Sequence, residues 1–430
     1  MGRIRAGAVL VTAAMTAVAG LTGCSSAPAS STTAVIGAAA PVSLMDQPAH
    51  LTITGLAPDD TVTVTAQARD AHSLPWQAHA DFRADAHGTV DLDSAAPLPG
   101  SSYQGADGMG LFWSMNTPSV PADQAEFAPP QNAGHSFAVT VAVTAHGRAL
   151  ASRTLTRESR LPGVTSTALT LASDKVVGEL FLPPKGTPRH PAVLAFGGSE
   201  GGNGQIPVAA LLASHGYPAL ALAYFGAPGL PAHLNDIPLE YFATAARLLA
   251  AQPAADPAHV VVMSVSRGTE AALLLADDYP QLIHGVVVDA PGAQVDPGFP
   301  DGGNAWTVGG RPVPQTAIPL NHIDGPLLAV AGADDQVWDS PDAVQLISYE
   351  LSDAGDRYPH QALVYPDAGH WAGSLPYLPL GTETVEDGST EDLGGTRAGV
   401  AASREASWPK VLALLAGLEN RPRPGASAGS

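Results

Sequence analysis

The sequence predicts two domains, an all-β antiparallel sandwich followed by an α/β domain with a mostly parallel sheet. The chain has 430 residues, too many for one ordinary domain, and 45% of them are hydrophobic, which is enough to fill two cores. Short segments with alternating apolar and polar residues occupy residues 41–160, which is typical of antiparallel strands. From residue 161 to residue 419, apolar strands instead alternate with helical segments, which indicates a parallel sheet. Residues 420–430 are expected to form a disordered tail.

Composition excludes several classes of partner. Acidic residues outnumber basic ones 40 to 20, and the formal net charge is −20. Nucleic acids and anionic membrane surfaces attract clustered Lys and Arg, so we expect neither as the main partner. Cys24 is the only cysteine, so a downstream disulfide, cysteine metal site or cysteine nucleophile is excluded. No other cluster has the spacing of metal ligands, and we predict neither a metal nor another cofactor.

The N-terminus has the pattern of a targeting segment. Arg3 and Arg5 precede the apolar stretch 6–21, which is too short for a comfortable membrane span. The segment ends in Leu-Thr-Gly-Cys at residues 21–24, which resembles a bacterial lipobox. We therefore predict a lipoprotein signal peptide over residues 1–24, with lipidation of Cys24 and an anchored protein outside the cytoplasmic membrane of a bacterium. The alternative is a plain secretory signal with a chance cysteine.

The first domain is predicted from strands separated by turn residues. Residues 25–40 are small and mostly polar, which predicts a flexible tether before it. The stretch 100–115 is rich in Gly and aromatic residues, and we expect it to pack into the core or a domain interface rather than to contact substrate. The spacing of the strands favours an immunoglobulin-like sandwich, with strands at 49–54, 61–66, 76–83, 89–92, 137–144 and 149–155.

The second domain is organised around a strand, a sharp turn and a helix. The β-branched run 258–265 predicts a buried strand, and the Ala/Leu-rich segment 271–276 predicts the helix that follows. Ser266 lies at the turn between them, in the motif Ser264-x-Ser266-x-Gly268. This pattern is that of the nucleophile elbow of α/β-hydrolases, with serine in place of the usual first glycine. The alternative is that both serines only cap the helix.

Two further loops carry the partners that a serine nucleophile needs. Asp335 follows a predicted strand and is the preferred acid, with Asp334 as the fallback. His370 follows the last predicted strand and is the expected base. The chain order Ser266, Asp335, His370 is the order found in α/β-hydrolases. The alternative is that a chance histidine and a solvated loop carboxylate occupy these positions.

A glycine-rich loop at residues 197–202 is the candidate oxyanion hole. It follows a predicted strand upstream of the elbow, where hydrolases take one backbone N–H donor. We predict donors at Gly198 and Ser199, with a further donor at Arg267 directly after the nucleophile. A phosphate-binding loop is the weaker alternative, because the Lys-Ser/Thr pair of a P-loop is missing.

Several motifs together resemble a known family. The chain is similar to the acyl-CoA thioester hydrolase and bile acid-CoA:amino acid N-acyltransferase family, whose members pair an N-terminal β-sandwich with an α/β-hydrolase domain. The resemblance covers nearly all of the chain from residue 41 to about residue 418. It rests on Asp46-Gln47-Pro48, residues 53–56, 102–105, 109–115, 332–338 and 365–370, and Pro376-Tyr377.

The resemblance implies a chemistry for the candidate residues. It places the nucleophile at Ser266, the acid at Asp335 and the base at His370, with an acyl thioester or ester as the small-molecule substrate. It implies a covalent acyl-enzyme that is released to water, or to an amino acid in the acyltransferase members. Those members tend to use cysteine, so serine favours hydrolysis here. A general carboxylesterase, or a lipoprotein with a relic, non-catalytic hydrolase fold, is the alternative, and the sequence leaves the oligomeric state open.

Overall fold

The computed structural model describes residues 33–130, 135–386 and 389–419. The predicted signal peptide, Cys24 and the tail at 420–430, which was expected to be disordered, lie outside the described residues. Within the described residues, no helix is both long enough and apolar enough to cross a membrane.

The first domain consists of two sheets that share a core. Its elements are β1 (Val35–Gly37), β2 (Val42–Leu44), β3 (Thr52–Thr54), β4 (Thr61–Arg69), β5 (Pro75–Arg83), β6 (Val90–Asp91), α1 (Gly110–Trp113), a 3₁₀ turn (Ala122–Gln124), β7 (Ser136–Ala145) and β8 (Arg148–Glu158). One sheet has the order β1-β3-β6 and the other the order β2-β8-β7-β4-β5. The alternating residues of β4 and β7 face the core, as their sequence predicted. The expectation of a purely antiparallel sandwich is wrong at one pair, because β2 runs parallel to β8.

The predicted flexible tether is corrected for its described part. Strand β1 pairs antiparallel with β3, and Ile36 lies opposite Ile53 in that register. Ala34 and Ile36 are buried in the core of the first domain. Two apolar side chains among small residues were enough to add a strand to the edge of the sheet, so the domain begins before residue 41.

The second domain is built on an eight-stranded sheet. Its elements are β9 (Thr165–Leu169), α2 (Leu171–Asp174), β10 (Val177–Leu182), β11 (His190–Phe196), α3 (Ile206–Ser214), β12 (Ala219–Ala223), β13 (Ile237–Pro238), α4 (Leu239–Ala250), β14 (Ala255–Val265), α5 (Gly268–Asp278), β15 (Val286–Asp289), β16 (Trp306–Val308), β17 (Arg311–Pro312), β18 (Leu327–Gly332), α6 (Ser340–Asp353), β19 (His360–Tyr365), β20 (Glu383–Glu386), β21 (Ser389–Asp392) and α7 (Arg397–Glu419). The strand order is β19-β18-β15-β14-β11-β12-β10-β9. Only β10 runs against its neighbours, so this α/β-hydrolase-like sheet is mostly parallel, as predicted.

Both faces of the large sheet are covered. Within β14, Val261 and Met263 face a core that includes α3, α7 and the first domain. Val260 and Val262 point to the opposite face and pack with α4, α5 and α6. A central strand that is buried on both sides reads as a continuous apolar run, which is why 258–265 was recognisable from sequence.

The glycine-rich and aromatic stretch packs between the two domains. Met109, Phe112 and Trp113 are buried, which confirms the expected packing role of these side chains. The Arg397 guanidinium, at the start of α7, donates to the backbone oxygens of Trp113 and Met115 at 3.4 and 2.9 Å. The short helix α1 therefore joins the first domain to the last helix of the second.

Candidate active site

Ser266 lies at the turn between β14 and α5 in a strained conformation. Its φ angle is +53°, in the left-handed region that side-chain-bearing residues rarely adopt. The Ser266 N–H donates to the backbone oxygen of Asp289 at 2.9 Å. The backbone oxygen of Ser266 accepts from the backbone N–H and the Oγ1 hydroxyl of Thr269, at 2.9 and 2.6 Å. These bonds hold the strained turn and raise the Ser266 side chain at the carboxyl end of the sheet.

Close packing explains which residues flank the nucleophile. A Cβ at Gly268 would lie 2.0 Å from the backbone oxygen of Gly197, so only glycine fits there. Ser264 takes the place of the usual first glycine and is buried. Its hydroxyl donates to the backbone oxygen of Phe196 at 2.9 Å, which links β14 to β11. The departure from the usual motif therefore fits the turn.

The structure brings the three predicted catalytic side chains into one hydrogen-bonded chain. His370 Nε2 lies 2.9 Å from Ser266 Oγ. On the other edge of the ring, His370 Nδ1 lies 3.1 and 2.9 Å from the two carboxylate oxygens of Asp335. His370 is buried, with 4% of its surface exposed. A base within hydrogen-bonding reach of the hydroxyl, oriented by a carboxylate, is the arrangement that nucleophilic catalysis requires.

The Asp335 carboxylate is held in its ionised form. Burial alone would raise the pKa of Asp335, but hydrogen bonds from His370, the Ser340 hydroxyl and the Val337 N–H outweigh burial and lower the pKa. The neighbouring Asp334, the fallback acid, instead accepts from the Gln336 side chain at 2.8 Å and from a backbone N–H in the loop before α7. The structure therefore puts Asp335, and not Asp334, beside the imidazole.

The oxyanion-hole prediction needs one correction. Gly198 lies against the nucleophile, since a Cβ there would lie 2.7 Å from Ser266 Cβ. Its N–H, however, donates to Glu200 Oε2 at 2.8 Å and is not available to an oxyanion. In the described chain, the N–H groups of Ser199 and Arg267 donate to no protein acceptor, and both residues line the cavity at Ser266. The candidate donors are therefore Ser199 and Arg267.

Two residues support this loop, and the sequence analysis missed only Tyr224. Tyr224 donates from its buried hydroxyl to the backbone oxygens of Gly197 and Gly198 at 3.1 and 2.7 Å. Glu200 binds the Gly198 N–H, and burial raises the pKa of its carboxyl group despite that hydrogen bond. Tyr224 reaches the loop only through the tertiary fold, so no local pattern marked it. The contact of Glu200 is local, and Glu200 was detectable as an acidic residue inside a glycine run.

Two buried polar residues behind the base also escaped the sequence analysis. Asp289 ends β15 with 4% exposure, and a Cβ at Gly373 would lie 2.2 Å from its carboxyl carbon. Arg404 of α7 donates from Nε to the backbone oxygens of Trp371 and Gly373 at 3.2 and 2.9 Å. Asp289 and Arg404 therefore pack against the segment that directly follows His370. The sequence feature that could have revealed Asp289 is its position as the one polar residue at the end of the otherwise apolar strand β15.

The hydroxyl of Ser266 faces a cavity of about 240 Å³. Aromatic residues dominate its apolar wall, among them Phe299, Trp338 and Trp371. The Arg267 guanidinium at the rim is already engaged, with Nε at 2.7 Å from Glu270 Oε1 and Nη2 donating to two backbone oxygens of the 296–297 loop. Across the described residues, no group of three or more His, Cys, Asp or Glu side chains has the geometry to hold a metal ion.

Comparison with known proteins places this geometry in a family. Residues 46–170 match the acyl-CoA thioester hydrolase/BAAT N-terminal region, and residues 237–299 and 307–417 match the BAAT/acyl-CoA thioester hydrolase C-terminal region. The chain is 30% identical to acyl-coenzyme A thioesterase 6 of Mus musculus, over 89% of this chain and 96% of that protein. It is 31% identical to acyl-coenzyme A thioesterase 1 of Rattus norvegicus, over 79% and 85% respectively.

A solved structure of a dienelactone hydrolase-like phosphotriesterase from metagenomic libraries is also similar, with 19% identity over 60% of this chain and 99% of that one at a TM-score of 0.40. At this low TM-score, the similarity adds no evidence for the fold beyond the strand order and the elbow already described. The family assignment depends on the matches of both regions and on the full-length relatives. The chain belongs to the acyl-CoA thioester hydrolase/BAAT family.

Proposed function

We propose that this chain is an enzyme that hydrolyses acyl thioesters, with Ser266 as nucleophile, His370 as base and Asp335 as the acid that orients the base. The observation that carries the proposal is the continuous hydrogen-bonded chain from Asp335 through His370 to Ser266, which opens into a cavity. Relatives over most of the chain are named as acyl-CoA thioesterases, which supports a thioester as the bond that is cleaved.

The first half-reaction acylates the enzyme. His370 Nε2 removes the Ser266 proton as Oγ attacks the thioester carbonyl carbon. The negative charge that develops on the carbonyl oxygen is stabilised by the backbone N–H groups of Ser199 and Arg267. When the tetrahedral intermediate collapses, the carbon–sulfur bond breaks and His370 returns the proton to the leaving sulfur. A free thiol departs, and the acyl group remains on Ser266 as an ester.

The second half-reaction regenerates the enzyme. His370 removes a proton from a water molecule, which attacks the acyl carbon, and Ser266 Oγ leaves with the proton that His370 returns. Asp335 remains ionised throughout and stabilises the imidazolium that forms in each half-reaction. The products are a carboxylic acid and the resting serine.

Matched serine variants test the proposal. We expect Ser266→Ala to lose thioester hydrolysis and labelling by a fluorophosphonate probe, whereas Ser264→Ala, two residues away on the same strand, keeps both. Acyl-CoA substrates and simple esters are assayed in parallel, because hydrolysis of esters alone would identify a carboxylesterase instead. Added glycine or taurine tests transfer, since a conjugate in place of free acid would identify an acyltransferase. Equal labelling of wild type and Ser266→Ala would refute catalysis at this serine.

We also propose that the protein is a lipoprotein, lipidated at Cys24 and held outside the cytoplasmic membrane of a bacterium. The positive and apolar segments before Leu21-Thr22-Gly23-Cys24 support this location. Cys24→Ser is expected to move the protein from the membrane fraction to the soluble fraction while activity on soluble thioesters remains. Unchanged membrane association of the variant would contradict the anchor.

For the first domain, we propose an immunoglobulin-like sandwich. Its three-stranded and five-stranded sheets share one core, which supports this assignment. Its contacts with α7 give it a structural role beside the catalytic domain.

A further inference from the structure

A second cavity of about 350 Å³ lies beyond Trp338. Trp338 lines this cavity as well as the catalytic one, and its ring centre lies 6.1 Å from that of His370. The indole is fixed in place, because Nε1 donates to the backbone oxygen of Ala290 at 3.0 Å. The loop from residue 291 to residue 299 continues the shared wall, with Asp296 facing the second cavity and Phe299 the catalytic one.

The apolar part of the lining of the second cavity is suited to a hydrocarbon. Pro291, Ala293, Ala317, Ala343 and Leu346 supply a wall of small and aliphatic groups, and Trp338 supplies an aromatic one. Leu346 is 43% exposed, so this wall presents apolar surface that the protein itself does not cover. An uncharged chain would remove that surface from water, at a gain that grows with each methylene.

The negative charges around the second cavity exclude the leaving group of a thioester when that group carries phosphates. Three carboxylates line it, from Asp296, Asp339 and Asp342, and no basic side chain does. Arg267, the cation of the neighbouring catalytic cavity, is paired with Glu270 at 2.7 Å. A leaving group that carries phosphates would be repelled by this lining, whereas a neutral acyl chain would not.

We propose that the second cavity is the acyl-chain subsite of the enzyme, entered past the Trp338 ring, and that it extends the accepted chain beyond what the catalytic cavity holds. The subsite rests on the proposed function, because it receives the acyl group that Ser266 attacks. The leaving sulfur then exits on the other side of Ser266, away from the three carboxylates.

A chain-length series tests the subsite. Straight-chain S-acyl N-acetylcysteamines from acetyl to hexadecanoyl keep one uncharged leaving group, so differences in rate report on the acyl chain alone. We expect wild-type kcat/KM to rise by up to about fourfold for each methylene that enters the second cavity. Leu346→Glu puts a charge against the chain, and we expect the ratio of kcat/KM for long chains to that for acetyl to fall at least about tenfold.

Two further variants make the result decisive. Ala343→Phe fills the cavity without adding charge and is expected to lower the same ratio. Tyr349→Glu is the matched control, because Tyr349 lies on the same helix, is 67% exposed and lines neither cavity; its ratio should equal that of wild type. If Ser266-dependent hydrolysis persists and neither cavity variant changes the ratio, the acyl-chain subsite is refuted while the proposed function stands. If no thioester of any length is hydrolysed, the proposed function fails first.

Discussion

Asp335 acts by fixing the tautomer of the His370 imidazole. Its carboxylate accepts from His370 Nδ1, so that Nε2 is left as the acceptor that faces Ser266. In Asp335→Asn an amide N–H can face Nδ1, and the opposite tautomer then turns a proton toward the serine. We predict that kcat for thioester hydrolysis falls about 10⁴-fold. Steady-state kinetics measures this effect, and Asp334→Asn serves as the neighbouring control that keeps its kcat. A loss in kcat below about tenfold would contradict the role.

Asp289 gives the fold a pH dependence of its own. Burial raises the pKa of its carboxyl group to about 7, although the charges of Arg404 and His370 oppose the rise. The folded state therefore holds a proton that the unfolded chain releases near pH 4, and stability falls as pH rises from there to about 7. In Asp289→Asn this loss is absent. We predict that the free energy of unfolding of the variant, relative to wild type, increases by on the order of 4 kcal/mol between pH 4 and pH 8.

The slope of this difference, and not its absolute value, is the test. Replacing the carboxyl group by an amide also changes its contact with the backbone at Gly373, and that change in stability does not depend on pH over this range. Urea unfolding at a series of pH values measures the difference. The exposed Asp59 offers the control variant Asp59→Asn, whose difference from wild type should stay flat. A flat difference for Asp289→Asn would contradict a buried, protonated carboxyl group.

At the scale of elements, the elbow depends on two small residues with different functions. Gly268 permits the approach of α5 to the loop after β11, and any Cβ there would lie 2.0 Å from a backbone oxygen. We predict that Gly268→Ala displaces Ser266 and lowers kcat/KM by about 10²-fold or more. Ser264→Gly removes one buried hydrogen bond, so it should cost about 1 kcal/mol of stability and keep its activity. A larger loss of kcat/KM in Ser264→Gly than in Gly268→Ala would contradict this description.

Elements with strong local patterns were predictable, and those defined by distant partners were not. The strand β14 and the helix α5 were predictable because the spacing of their apolar residues and their amino-acid composition indicate the same structure over the whole segment. Strand β1 was missed because its two apolar residues are useful only next to β3. The β20–β21 hairpin was missed because exposed polar residues such as those of β21 carry no hydrophobic pattern.

At the scale of the molecule, one carboxylate of the first domain binds two elements of the second. Asp46 Oδ2 accepts from Trp408 Nε1 of α7 at 2.8 Å and lies 2.6 Å from Nε2 of His215, directly after α3. We predict that Asp46→Ala lowers the free energy of unfolding by about 2–4 kcal/mol, because it leaves two polar groups of the domain interface without a partner. Urea denaturation measures this loss.

The matched control lies within one domain. Asp93 and His50 form a similar pair at 2.6 Å, but both side chains are largely exposed. Asp93→Ala should therefore cost less than about 1 kcal/mol. Equal losses for the two variants would show that Asp46 does not join the domains.

The candidate site was predictable to the extent that chain order reveals it. Ser266, Asp335 and His370 each follow a strand that ends at the same edge of the sheet, so spacing along the chain located them. The oxyanion donors were only partly predictable, because the side chain of Glu200 takes the Gly198 N–H. Arg404 was invisible to local reasoning, since α7 reaches the active site only after the whole chain has folded.

The most direct measurement is the detection of an acyl group on Ser266 during turnover. Rapid quenching of wild-type enzyme with an acyl thioester, followed by digestion and mass spectrometry, should give a peptide that contains Ser266 and carries the mass of the acyl group. Ser266→Ala should give no adduct, and Ser264→Ala should give the wild-type adduct. Continued hydrolysis by Ser266→Ala, or an adduct at another residue, would contradict the account.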